Sequence, residues 1–312
     1  MKPSPSAPPE QQTAPAKDQR LDPDSRRGWT RFGWAVLAWT LAWIGPLIAL
    51  TRLSLRDDLY SHVLLVPAVA VYLVWIDRPR LPNVGHPLKG VAALLGVGAA
   101  VCAVPTFLPA AGLTGDIQLS LRILAYVLGV GCAGALFLGR ETLRFCQFSF
   151  LFLLFLVPPP KFVIHWLEVG LQHTSADVAE WFINASQTPL IREGLFLRLP
   201  GVTLEVAPEC SGIRSTLVLF VVSVIAGKMF LLTPWRRTVL ALSIIPLGIA
   251  RNAFRIFTLG YLSVHWDPAV LHSALHKQGG PLFFVLSLIP LNLLLWVLYR
   301  SERSLRPPQT RV

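Results

Sequence analysis

The chain has 312 residues, 53% of them hydrophobic and only 14% charged, with a mean hydropathy of +0.55. Soluble domains carry about 25% charged residues, so a soluble globular protein is excluded and an integral membrane protein is indicated. The net charge of +11 does not point to nucleic acid, because the basic residues fall in short clusters between apolar runs, as topology signals do.

Residues 1–28, rich in Pro, Ser and charge, predict a disordered tail. They are no signal peptide, because the first apolar run begins near Phe32 and continues as a full span. Eight helical spans follow, at about 31–51, 61–76, 90–109, 119–139, 145–158, 211–232, 238–262 and 281–299. Each approaches the roughly 20 residues that cross a bilayer core. The expected architecture is an all-α polytopic membrane protein: a tail over 1–28, a membrane domain over 29–300 and a second tail over 301–312.

Alternate inter-span segments hold eighteen Lys and Arg against six in the others. The positive-inside rule then puts both termini in the cytoplasm, in agreement with an even number of spans. The long segment 159–210 and the loop 263–280 face outward. Within the former, "KFVIHWLEVGLQHTSADVAEWFINAS" (161–186) mixes polar and apolar residues at helical spacing and predicts interfacial helices. "GLFLRLPGVTLEVAPE" (194–209) alternates on both sides of Pro200-Gly201 and predicts a β-hairpin before the sixth span. Its exposed edges could bind an extended peptide by strand addition.

The hairpin leads into "APECSGIRS" (207–215), which puts Cys210, Ser211 and Arg214 at the lip of the sixth span. The helix N-terminus and Arg214 both favour a thiolate at Cys210, the state a cysteine nucleophile requires. The structural alternative is a buried cysteine that happens to open a helix. Cys102, Cys132 and Cys146 lie in or beside apolar runs and read as small packed hydrophobes. No disulfide framework is implied.

In "IPLGIARNAFRIFTLGYL" (245–262) Arg251, Asn252 and Arg255 sit inside an apolar helix. A charge at that depth costs at least a few kcal/mol and is rarely idle. Arg255 is four residues from Arg251 and three from Asn252, so it shares a face with each. The alternative is an arginine that snorkels or pairs with an acid. The outer loop carries His265, His272 and His276. His272 and His276 have helical metal-ligand spacing, but no third ligand stands out, so neither a metal nor any other cofactor is expected. A histidine acting as acid or base is the better reading. "DDLYSHVLLVP" (57–67) places Tyr60 and His62 on the outer face, either lining the same cavity or anchoring the interface.

These stretches resemble the exosortase/archaeosortase family of multi-span, transpeptidase-like sorting enzymes. The resemblance rests on "DDLYSHVLLVP" (57–67), "REGLFLRLPGVTLEVAPECSGIRS" (192–215), "RNAFRI" (251–256) and "HKQGGPLFF" (276–284). It implies Cys210, Arg255 and His276 as catalytic residues, with Arg214, Asn252, Ser211, His62 and Tyr60 in support. It also implies a cysteine-dependent peptidase/transpeptidase of the inner (plasma) membrane with its site on the extracytoplasmic face. The expected substrates are exported proteins ending in a sorting signal, often a Pro-Glu-Pro-like (PEP-CTERM) motif, then a transmembrane helix and a basic tail. The family is linked to exopolysaccharide production. The expected partners are those proteins, the lipid bilayer, and a glycan or lipid acceptor; nucleic acid is not among them. The alternative from another class is a multi-span transporter of an anionic solute, which would use the buried arginines and the break at "VPPPK" (157–161). It shows no internal repeat and gives Cys210 no special role. A third reading is a non-catalytic component of polysaccharide assembly.

Overall fold

The computed structural model describes residues 23–108, 112–206, 212–267, 269 and 280–304. In chain order its elements are helices α1 (Pro23–Ala42) and α2 (Ile44–Arg56), a 3₁₀ turn (Asp58–Leu65) leading into α3 (Val66–Ile76), α4 (Lys89–Ala103), α5 (Gly115–Phe137), α6 (Gly139–Phe145) and α7 (Gln147–Phe152). Next come α8 (Lys161–Ala185), strands β1 (Ile191–Glu193), β2 (Phe196–Leu199) and β3 (Val202–Glu205), and helices α9 (Ile213–Phe230), α10 (Pro234–Leu242), α11 (Ile244–His265) and α12 (Gly280–Ser304). Among the described residues six helical stretches are long and apolar enough to cross a membrane, or eight if each of two bent pairs is one span. Large side chains such as Trp34, Leu41, Leu94 and Val101 stand exposed on them, as lipid-facing positions require. The chain is a multi-pass helical membrane protein.

Prolines explain where the spans differ from the expected ones. The first is two helices, α1 and α2, parted at Trp43. Pro46 cannot donate the hydrogen bond owed to Ala42, and its ring crowds that carbonyl, so the helix breaks four residues upstream. Pro246 does the same to Leu242, so the expected span 238–262 lies within one candidate span, Pro234–His265, made of α10 and α11 parted at Ser243. Pro158-Pro159-Pro160 separates the α7 segment from α8.

Four expectations change in detail. Segment 161–185 is one 25-residue helix rather than several interfacial ones, because nothing in it breaks the i→i−4 ladder. The hairpin gains a strand: β1, β2 and β3 form an antiparallel sheet in that order. The two-residue turns contain Gly194 and Gly201, both at positive φ, which glycine adopts without strain. The first helix already starts at Pro23, inside the segment expected as a tail; residues 1–22 lie outside the described residues. The last helix runs on to Ser304, beyond the expected boundary at 300.

The chain divides into two compact units. The first comprises residues 1–46, 66–111 and 121–156. Several of its polar groups are paired internally, as a bilayer favours. Arg122 donates from Nη2 to the Thr106 carbonyl at 2.8 Å and from Nε to Thr106 Oγ1 at 3.1 Å. Trp39 and Trp43 stack at 4.1 Å and donate to the carbonyls of Tyr126 and Arg122.

The second unit comprises residues 47–65, 112–120 and 157–312. One core cluster joins Leu219 of α9, Leu240 of α10, Ile244 of α11 and Leu291 and Leu298 of α12. A second packs the inner face of the sheet, Leu197 and Leu199, against Ala176, Ala179 and Ile183 of α8 and Ala253 and Ile256 of α11. The small alanines let α8 and α11 approach closely, the usual device where lipid offers no hydrophobic drive. Opposite Leu197 and Leu199 the alternation turns Phe196 and Arg198 outward. Arg192 of β1 ties the sheet to α8 through Asp177 at 2.7 Å and Glu180 at 2.8 Å. Glu180, then Asp177, hold the Arg192 pKa above that of a free guanidinium.

At the other end of this unit, Glu302 of α12 caps α10. Its carboxylate accepts from the backbone N–H of Leu232 at 2.9 Å and of Thr233 at 2.7 Å. It also accepts from the Thr233 hydroxyl and lies 3.6 Å from Arg236 Nη1. Glu302 and Arg236 are both buried.

Candidate active site

The site lies within the second unit, around the start of α9. Gly212 is the N-cap of that helix, with φ 71° and ψ 9°. Its carbonyl accepts from Thr216 N at 3.0 Å and from Arg251 Nη2 at 2.9 Å. A Cβ on Gly212 would stand 2.7 Å from Arg251 Nη2 and 3.4 Å from the Asn252 carboxamide. The αL turn and the close approach each call for glycine here. Gly248, a helical turn earlier on α11, allows a similar close approach, since a Cβ there would meet Thr216 Oγ1 at 2.7 Å.

Arg251 is 9% exposed and Asn252 2%, while Arg255, one turn toward the C-terminal end of α11, is half-buried. Arg251 thus meets the beginning of α9. No carboxylate lies within ion-pair distance of Arg251 among the described residues. Just upstream, Gln172 of α8, 4% exposed, donates from Nε2 to the Val206 carbonyl at 3.0 Å. Cys210, Ser211, His272 and His276 lie outside the described residues.

A cavity of about 550 Å³ adjoins the same helix start, lined by Ile213 and Arg214 with Asp57, Tyr60, Asp116, Ser120, Lys161 and Glu168. Tyr60 lines this cavity, buried, its hydroxyl donating to the Pro159 carbonyl at 3.4 Å. Asp57 accepts from Leu59 N at 2.9 Å and so caps the 3₁₀ turn. Asp58 turns toward Arg214, at 3.4 Å. Opposite, Ser120 donates to the Pro158 carbonyl at 2.6 Å, and Asp116 accepts from Lys161 N at 3.0 Å. The triple proline is thereby fixed as a wall. His62 is half-buried and stands outside this lining.

Of the supporting residues, Arg214 and Tyr60 are brought to one cavity, and Asn252 to the start of α9. Arg251 joins Asn252 there, a contact that sequence spacing alone does not reveal; its depth in an apolar helix was the only signal. Asp116, Ser120, Lys161 and Glu168 gave no signal, because they come from two helices, α5 and α8, that only the tertiary fold brings close. Among the described residues no three His, Cys, Asp or Glu side chains could hold a metal.

The fold and site define a multi-pass membrane protein with a polar pocket and a buried arginine at the start of one helix. The family model described as transmembrane exosortase matches residues 54–293, and the chain belongs to that family. The family comprises protein-sorting, transpeptidase-like membrane enzymes that act on exported proteins, generally cysteine peptidases or transpeptidases. No curated protein and no solved structure matches the chain.

Proposed function

We propose that this protein cleaves the C-terminal sorting signal of exported proteins through a thioester on Cys210. The Cys210 sulfur attacks the carbonyl carbon of the scissile peptide, and its proton passes to His276. The C–N bond then breaks, and His276 returns the proton to the leaving amine. An amine, a lipid head group or water finally takes the acyl group from sulfur. Arg255 serves the tetrahedral step, as oxyanion donor or as proton donor. Arg214, Asn252, Ser211, Tyr60 and His62 orient the reacting groups. No cofactor or metal takes part in this mechanism.

The substrate signal is a short motif, Pro-Glu-Pro-like in many relatives, followed by a helix and a basic tail. Both termini face the cytoplasm, the chain lies in the inner membrane, and the site opens outward, where such a motif emerges from the bilayer. The extended motif pairs with a sheet edge on its way to Cys210.

The observation that carries this reading is the seating of Gly212, two residues beyond Cys210, on Arg251 and Asn252, one turn from Arg255. The test is co-expression with an exported protein from the same genome that bears a motif, helix and basic tail. The substrate mass should shorten with the wild type and stay full-length with Cys210→Ala and Arg255→Ala. Shortening with Cys210→Ala would end the thioester mechanism and return the anion transporter as the leading reading.

A further inference from the structure

Arg251 and Asn252 each keep a donor that the fold does not use. The Arg251 guanidinium spends Nη2 on Gly212 O and Thr216 Oγ1, at 2.9 and 3.4 Å. Its Nη1 is buried and has no hydrogen-bond partner among the described residues. The same holds for Nδ2 of Asn252. Leaving a buried donor without a partner is destabilising, and more so when it is charged. Two such donors on adjacent residues, packed on one glycine, are a cost that core packing does not explain, since apolar side chains of that size would avoid it.

The two residues that carry these donors pack on Gly212, the N-cap of α9, an 18-residue helix whose aligned peptides put a partial positive charge there. A guanidinium with no carboxylate near it, a carboxamide N–H and a helix N-terminus together form a positive, hydrogen-bond-donating niche. The complementary ligand is an oxygen that carries or acquires negative charge. A permanent protein anion to fill it is not found among the described residues.

We infer that Arg251 and Asn252 form an oxyanion site, receiving the carbonyl oxygen of the scissile peptide through Arg251 Nη1 and Asn252 Nδ2. As the Cys210 sulfur bonds to the carbonyl carbon, the C=O π pair moves onto that oxygen, and the two donors stabilise the charge. When the C–N bond breaks, the pair returns to re-form the carbonyl of the thioester. The assignment rests on the cysteine mechanism proposed above. It frees Arg255 for the proton-donor role. Arg251 is thus a catalytic residue in its own right, and its second bond, to Gly212 O, fixes the helix start against which the oxygen sits.

The test separates this role from simple support of Gly212. Arg251→Lys keeps the charge but loses the forked pair of donors; Asn252→Leu keeps the volume and loses the donor. Two rates are measured for each in cells: processing of the motif–helix–basic-tail substrate by pulse–chase, and alkylation of Cys210 by iodoacetamide, read at that peptide by mass. Alkylation displaces iodide and builds no oxyanion, so it reports the thiol and its surroundings alone. Loss of one oxyanion donor typically slows turnover by about 100-fold or more. The expected result is that loss in processing with alkylation within about threefold of the wild type, a margin of roughly 0.7 kcal/mol. Processing near the wild-type rate, or alkylation falling in step with processing, overturns the oxyanion assignment. If instead the wild type shortens no such substrate, or Cys210→Ala still does, the cysteine mechanism falls first.

Discussion

The Arg251 guanidinium holds the carbonyl of Gly212 at 2.9 Å across 39 residues of sequence. One bond therefore joins the turn that follows Cys210 to the polar turn of α11. It also makes Gly212 the most constrained glycine of the site. Gly212→Ala would put a Cβ 2.7 Å from Arg251 Nη2 at a backbone φ of 71°. The guanidinium must move, and the αL conformation costs an L-residue about 1–2 kcal/mol. The expected outcome is loss of that much stability in thermal unfolding of the detergent-solubilised protein, with substrate processing down at least about tenfold.

Thr203 offers a test of strand addition. Leu195 O accepts from Val206 N at 3.0 Å, which makes 195/206, 197/204 and 199/202 the hydrogen-bonded pairs of the β2–β3 register. The backbone groups of Thr203 and Glu205 then point away from β2, toward the outer edge of β3. Thr203→Pro removes an edge donor and leaves the internal ladder intact. It is expected to slow processing at least about tenfold, while Thr203→Ala changes it less than about twofold. Leu204→Pro strikes an internal pair and should cost about 3 kcal/mol or more of stability. Equal processing by Thr203→Pro and the wild type would remove the edge from substrate binding.

Glu302 is expected to matter for stability and little for chemistry. Its carboxylate serves Leu232 N, Thr233 N, the Thr233 hydroxyl and Arg236 at once. Glu302→Ala strips the cap from α10 and leaves Arg236, 4% exposed, without its partner. Breaking a buried pair in this way costs about 3–5 kcal/mol. Thermal unfolding should show it, and Glu302→Gln should recover some of it by keeping an acceptor for the two N–H groups.

Asp58 and Arg214 make the opposite case. Their ion pair spans 3.4 Å between side chains 86% and 60% exposed. Exposed pairs contribute about 0–1 kcal/mol. Asp58→Asn should therefore leave the unfolding midpoint nearly unchanged. Any large fall in processing by that variant would report a contact with substrate.

Much of this was legible in the sequence. Apolar runs located the spans, and Cys210, Asn252 and Arg255 carried the family resemblance. The helix breaks at Trp43 and Ser243 were less visible, because hydropathy does not register the carbonyl that a proline leaves unbonded four residues earlier. The strand Ile191–Glu193 is three residues long, too short for alternation to signal. The cavity was not legible at all, since Asp57, Asp116, Lys161 and Arg214 begin or end four different helices, and only packing collects them.

Two side chains on different helices clamp carbonyls on either side of a short tract of backbone: Gln172 of α8 holds Val206, and Arg251 of α11 holds Gly212. Each clamp fixes a backbone carbonyl through a side chain that belongs to another helix. Repacking α8 or α11 therefore moves Val206 or Gly212 directly, even where no residue beside either carbonyl is changed.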